Sequence, residues 1–315
     1  MDSLVIADLF VLLFLGLADN QMIAALLPSL LGSLHVSVGV AGLLIAVYSL
    51  TAALASFVSG FLSDHYGRRR FLLFGVLLFA LASWTASRTG TFNELVLARA
   101  LTGFAAGTIS TCSITYAADW FEYSVRGRAL GLISSAYFAA PILGVPLAAQ
   151  IADRYGWRRA FLLFAILALA TAALSVSLPK DRLNPEPSSD KLKVAGRSFR
   201  SFLIRRDTAA ALGIAFLVSG GLVGFLTYVG QWLHSQFAVS TRTIGWVFML
   251  GGLVAVGSAP LGGIISDRIG KRPVAIVSNI ILALAVALIP LLPGGLGCWR
   301  FFAWPAWAPP FARGL

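Results

Sequence analysis

Charge is what this chain has least of. Asp, Glu, Lys and Arg make up 12% of its 315 residues, about half the share usual in a soluble domain (about 25%). With 58% hydrophobic residues and a mean hydropathy of +0.85, it reads as an integral membrane protein, which excludes a soluble enzyme. No Lys or Arg precedes Arg68. The basic start of a signal peptide is therefore missing, and the first apolar run is expected to remain as a span. The two cysteines, Cys112 and Cys298, give no disulfide framework and no metal spacing. Cys112 lies in an apolar run, as a small packing residue. His35, His65 and His234 are scattered, so neither a metal site nor a cofactor is expected. There is no phosphate loop, no HExxH and no spacing that suggests a nucleophile with its base. An enzyme would have to draw on Asp19, Glu94, Arg99 and Asp119 inside a membrane, and the chain is read as no enzyme.

What is there comes in apolar runs, and a helix of about 20 such residues crosses a bilayer. The runs fall near 5–31, 39–62, 71–88, 94–118, 129–150, 159–178, 208–234, 243–265 and 274–292, nine in all. The connections alternate in charge. Residues 63–70, 119–128, 179–207 and 266–273 hold 16 Lys and Arg, whereas the opposite set holds 5: Arg88, Arg154, Arg158, Arg159 and Arg242. The positive-inside rule places the N-terminus and the first set in the cytoplasm of an inner or plasma membrane. The net charge of +11 is then topological, with anionic lipid headgroups and not nucleic acid as its neighbour.

One loop is written twice. Gly60-Phe61-Leu62-Ser63-Asp64-His65-Tyr66-Gly67-Arg68-Arg69-Arg70 returns 203 residues later as Gly263-Ile264-Ile265-Ser266-Asp267-Arg268-Ile269-Gly270-Lys271-Arg272-Pro273. A half-length repeat between spans marks a transporter built from two related bundles. Two antiparallel helices joined so tightly need backbone freedom at Gly67 and Gly270. Gly60 and Gly263, one turn before the Asp, are expected to let helices pack closely.

The loop, with Gly60, Asp64, Gly67, Arg68 and Arg69 in place and a weaker echo at Gly263, Asp267, Gly270 and Arg272, resembles the one between spans two and three of the major facilitator superfamily. That resemblance implies an all-α membrane fold and transport of a small organic solute by alternating access. It also implies that the two loops act as cytoplasmic gates. Residues 1–178 become a complete six-span bundle, 179–207 a cytoplasmic linker, and 208–292 an incomplete second bundle of about three spans. The tail 293–315, rich in Pro, Gly and Trp, is expected to come from a shifted frame or a truncated gene. A native interfacial tail is the alternative. For the function, the alternative to transport is a truncated, non-transporting membrane protein or a partner subunit of a full-length homologue.

Within the spans, Leu97–Gly107 resembles a family motif in which an intramembrane Arg precedes spaced glycines. A charge at the bilayer centre costs about 2.5–3.5 kcal/mol on insertion scales, so Arg99 needs a partner or a route to the interface. Asp19 is its natural partner, beside Asn20 in the polar centre of span one. As a carboxyl that binds and releases a proton it suits a coupling site; as a fixed ion pair it would only hold spans one and four together. Asp8 lies nearer the cytoplasmic end. In span five, Gly127, Pro141 and Gly144 partly match the Gly- and Pro-rich motif of proton-coupled exporters, and Pro141 and Pro146 should bend the helix. Tyr228, Gln231 and Trp232 share one helix face, either of a solute cavity or of an interfacial aromatic belt. The segment Asp153-Arg154-Tyr155-Gly156-Trp157-Arg158-Arg159 imitates the repeated loop on the opposite side and is read as a plain turn.

Overall fold

The computed structural model describes residues 2–179 and 206–288, and among these it contains helices and connections but no strand. Helix α1 runs Asp2–Leu34, α2 Val38–Tyr66, α3 Arg68–Arg88, α4 Phe92–Trp120, α5 Tyr123–Tyr155 and α6 Trp157–Ser175. They are followed by α7 (Arg206–Phe237), α8 (Thr241–Ile269) and α9 (Lys271–Leu288). Eight of these are long and apolar enough to cross a membrane. In the ninth, the corresponding apolar stretch is shorter, Arg272–Leu284. Residues 180–205 of the expected linker 179–207, the last part of the expected ninth span and the tail 293–315 lie outside the described residues.

Local chemistry sets the helix ends. Thr91 Oγ1 accepts from the Glu94 amide (3.3 Å) while Glu94 Oε2 accepts from the amides of Gly90 (2.8 Å) and Thr91 (3.4 Å), a capping box that starts α4. Ser240 caps α8 through the Thr243 amide at 3.2 Å. Three helix pairs are joined by a single Gly in the left-handed region: Gly67 (φ 94°), Gly156 (φ 85°) and Gly270 (φ 103°). In all three the Gly amide donates to the carbonyl four residues back, on Ser63, Ala152 and Ser266. A Cβ would strain each turn. The segment around Gly156, which imitates the repeated loop in sequence and is read as a plain turn, thus has the backbone of that loop as well.

Span five is longer than its apolar run suggests and is not uniform. A π-turn occupies Ala140–Gly144, with Pro141 inside it. Proline has no N–H for the ladder and clashes with the preceding turn, and an extra residue in the turn relieves both.

Helix α1 is central, with α4, α5 and α6 on its flanks. Helix α2 packs along α4, and α3 fits between α4 and α6. The closest approaches belong to α4. A methyl at Gly103 would overlap the Tyr48 backbone, and one at Gly107 would overlap Ala52. Among the described residues Gly60 and Gly263 do not do this job: Gly60 faces Thr111 at ordinary contact distance, and Gly263 has no neighbour within 4 Å. Among the described residues, helices α7 and α8 join the first six at one end. α7 lies against α1 through Val229, Gly230 and Leu233, and α8 lies against α5 through Ile244, Gly245, Phe248 and Gly252. Toward Gly270, α8 turns exposed. Among the described residues, the helices are therefore closed at the end carrying Gly156 and apart at the end carrying Gly67 and Gly270.

Candidate functional site

Asp19 on α1 and Arg99 on α4 meet in the interior, and neither side chain has any exposed surface. Arg99 Nη1 donates to Asp19 Oδ2. The guanidinium also lies over the Tyr48 ring of α2, with its carbon 4.4 Å from the ring centroid. Tyr48 in turn donates its hydroxyl to the Gly16 carbonyl at 2.9 Å. Three helices are thus tied through one cation. Arg99 is enclosed and does not reach for a helix end. The pair is not saturated, because Asp19 Oδ1 and Arg99 Nε and Nη2 have no hydrogen-bond partner among the described residues. Polar atoms this deep usually find one.

Beside the pair, a cavity of about 200 Å³ opens between α1, α2 and α4. Asn20, Tyr48, Ser56 and Ser110 supply its polar wall, and Leu13 and Ile109 part of its apolar wall. Asn20, named from sequence, therefore lines a cavity. Its amide oxygen is buried without a donor among the described residues. Ser56 and Ser110 went unnoticed in the sequence, because isolated serines carry no signal until two helices bring them to one face.

The face of α7 is used for closure. The Tyr228 hydroxyl lies so near Gly42, at the irregular turn of α2, that a methyl there would overlap it. Trp232 sets its edge on the Phe237 ring, with centroids 5.6 Å apart. Gln231 has a buried amide oxygen without a donor among the described residues. In span five, Gly144 lies against Ala18 of α1, and Pro141 meets α8 at Gly252, whereas Gly127 has no neighbour within 4 Å.

At the Gly67 turn, Arg68 forks between two carboxylates, Asp64 at 2.8 Å and Asp119 of α4 at 2.6 Å. Arg69 donates to the Val176 carbonyl at the end of α6. The side chains of Asp267 and Arg272 at the echo turn are exposed. At the Gly156 turn, Arg158 donates through Nε (3.1 Å) and Nη2 (2.9 Å) to the Thr89 carbonyl at the end of α3. Trp157 Nε1 donates to Ser33 Oγ at 2.8 Å. Asp8, set aside from sequence, is nearly enclosed and accepts from the Ser175 hydroxyl, 2.9 and 3.0 Å from its two oxygens.

The sequence profile of the Major Facilitator Superfamily matches residues 9–312. Among curated proteins, the "Probable nitrate/nitrite transporter NarK2" of Mycobacterium tuberculosis is 30% identical over 289 residues, 86% of this chain and 69% of that protein. Among solved structures, an inward-facing, unoccupied bacterial homolog of the human lysosomal transporter Spinster superposes with a TM-score of 0.77 at 17% identity, covering 96% of this chain and 71% of the other. A D-xylose–proton symporter gives 0.66 at 20% identity, over 91% and 74%. Likenesses this remote in sequence show the fold. The chain belongs to the Major Facilitator Superfamily and is a multi-pass membrane protein of the secondary transporter class.

Proposed function

We propose that this member of the Major Facilitator Superfamily moves a small organic solute by alternating access, coupled to protons and directed outward. The observation that carries the reading is the enclosed Asp19–Arg99 pair with unpartnered oxygen and nitrogen atoms, set beside a polar-lined cavity. A carboxyl held by one donor exchanges its proton more readily than one fully bonded, because protonation breaks a single contact. Losing that contact would free Arg99 and loosen α1 from α4. Outward direction rests on the partial motif Gly127, Pro141 and Gly144. The positive-inside count puts the Gly67 and Gly270 turns in the cytoplasm, where both loops act as gates. Residues 1–178 and 208–292 would then belong to the two rocking bundles, with 179–207 as the linker. Asn20, Tyr228, Gln231 and Trp232 would line the route, and the solute remains a small molecule of unspecified class.

A second reading is favoured by a specific contact. The stacking of Arg99 on Tyr48, with both partners of the ion pair fully enclosed, suits a fixed brace of α1, α2 and α4. Asp19→Asn separates the two. As a coupling residue, its loss abolishes the response of efflux to an imposed proton gradient, read in vesicles loaded with a mixed-solute panel, while membrane insertion stays normal. Unchanged proton-driven efflux leaves the brace as the only role for the pair.

A further inference from the structure

The two arginines placed two residues after a left-handed glycine do the same thing at opposite ends of one helix pair. Helices α3 and α6 are antiparallel neighbours. Arg69, at the start of α3, donates to Val176 at the end of α6; Arg158, at the start of α6, donates to Thr89 at the end of α3. Each serves a carbonyl that its own helix leaves unpaired, at the negative end of the helix dipole.

The two ends differ in the stretch of chain beyond the capped helix. After Val176 the chain runs through Ser177 and Leu178 to Pro179, where the described part of the linker stops. That short root is held from three sides. Ser175 donates to Asp8 of α1, Arg69 of α3 holds Val176, and the Tyr116 hydroxyl of α4 donates to the Pro179 carbonyl at 2.9 Å. Leu178 is buried in the core of the first six helices. Arg69 is also the neighbour of Arg68, whose fork between Asp64 and Asp119 sets the loop in place.

We propose that the Gly67 loop and the linker root form one coupled element, so that release of the Arg68 fork withdraws Arg69 from Val176 and frees the linker where it leaves the bundle. The loop's state would then be passed directly to the chain that leads into α7. The device stands on these contacts and not on the transported solute. Its test therefore reads no transport, and its failure is distinct from failure of the transport reading.

The test is amide hydrogen exchange of the purified full chain, read at 175–178 and at the turn 63–67. In Asp64→Asn/Asp119→Asn, exchange at 175–178 is expected to rise about tenfold, as local opening there becomes easier, with the Thr89 end at its normal rate. Native exchange at 175–178 in that variant overturns the proposal. Tyr116→Phe removes a single hydroxyl and guards against a double variant that does not fold. Coupling is reciprocal, so loosening the root through Tyr116→Phe should speed exchange about threefold at 175–178 and also raise it at the Gly67 amide. A rise confined to 175–178 overturns the coupling and leaves only a local anchor.

Discussion

At the Gly156 end, α7 and α8 lie against α1 and α5, with Gly230, Gly245 and Gly252 each too close to a neighbour to admit a methyl without displacement. Toward the Gly67 end of the same helices, Gly213, Gly220, Gly257, Gly262 and Gly263 have nothing within 4 Å among the described residues. A polar contact joins the groups at the closed end, Ser29 Oγ with Thr241 Oγ1 at 3.1 Å. The same two helices are thus in steric register at one end and apart at the other. Closure here comes from bare backbone that allows close approach, with little hydrogen bonding. Such a contact is easily wedged by one side chain and is nearly blind to the loss of one hydroxyl.

The strongest way to break the comparison is to remove the support that both ends share. Arg99→Ala leaves the enclosed Asp19 without its cation, a change that typically costs about 3–5 kcal/mol. A large fall in thermal midpoint in detergent is the expected outcome, partly recovered by adding Asp19→Asn, since the orphaned carboxylate is then gone. A midpoint near that of the unaltered protein would mean that the pair holds nothing together.

A smaller effect sharpens the contrast between the ends. An ideal Cβ at Gly245 would stand 2.7 Å from the Ala149 Cβ, so Gly245→Val should prise α8 from α5. With Cys112→Ser and Cys298→Ser as background, Ser110→Cys in the cavity reports access to membrane-impermeant thiol reagents. Labelling from the Gly156 side is expected to rise about tenfold. Gly251→Val is the control, because Gly251 has no neighbour within 4 Å among the described residues. Equal labelling in the two valine variants would remove the steric account of closure.

The smallest effect is Thr241→Val, which deletes the hydroxyl facing Ser29 and is worth about 1 kcal/mol or less. Labelling in the same assay should rise about twofold. A rise as large as that of Gly245→Val would show that the hydrogen bond, and not packing, keeps this end shut.

Much of the architecture was legible in the residues. Apolar runs mark spans because lipid admits only helices that satisfy their own backbone. The repeated Gly67 and Gly270 loops stood out by their spacing, and both have the positive φ that their glycines permit. Asp19 and Arg99 were conspicuous as isolated charges in apolar helices, and the structure brings them together. Other features gave no such signal. The Gly156 segment imitates the repeated loop in sequence, but its placement on the opposite side has it read as a plain turn, and the shared backbone form shows only in the structure. Arg158 reads as a topological charge and Arg69 as part of the gating loop, and only the antiparallel pairing of α3 with α6 turns both into caps. Gly60 and Gly263 read as packing glycines, whereas among the described residues the close approaches fall at Gly103 and Gly107.

Residue order alone settles the short-range features: which segments cross a membrane, where the chain must reverse on a glycine, and which charges cannot stay alone in an apolar span. Those depend on local hydropathy and backbone sterics. Which carbonyl each arginine serves, where the cavity opens and which end is shut emerge only once the helices are assembled. Each depends on two helices distant in the chain meeting at one depth and rotation, and residue spacing within either helix does not carry that relation.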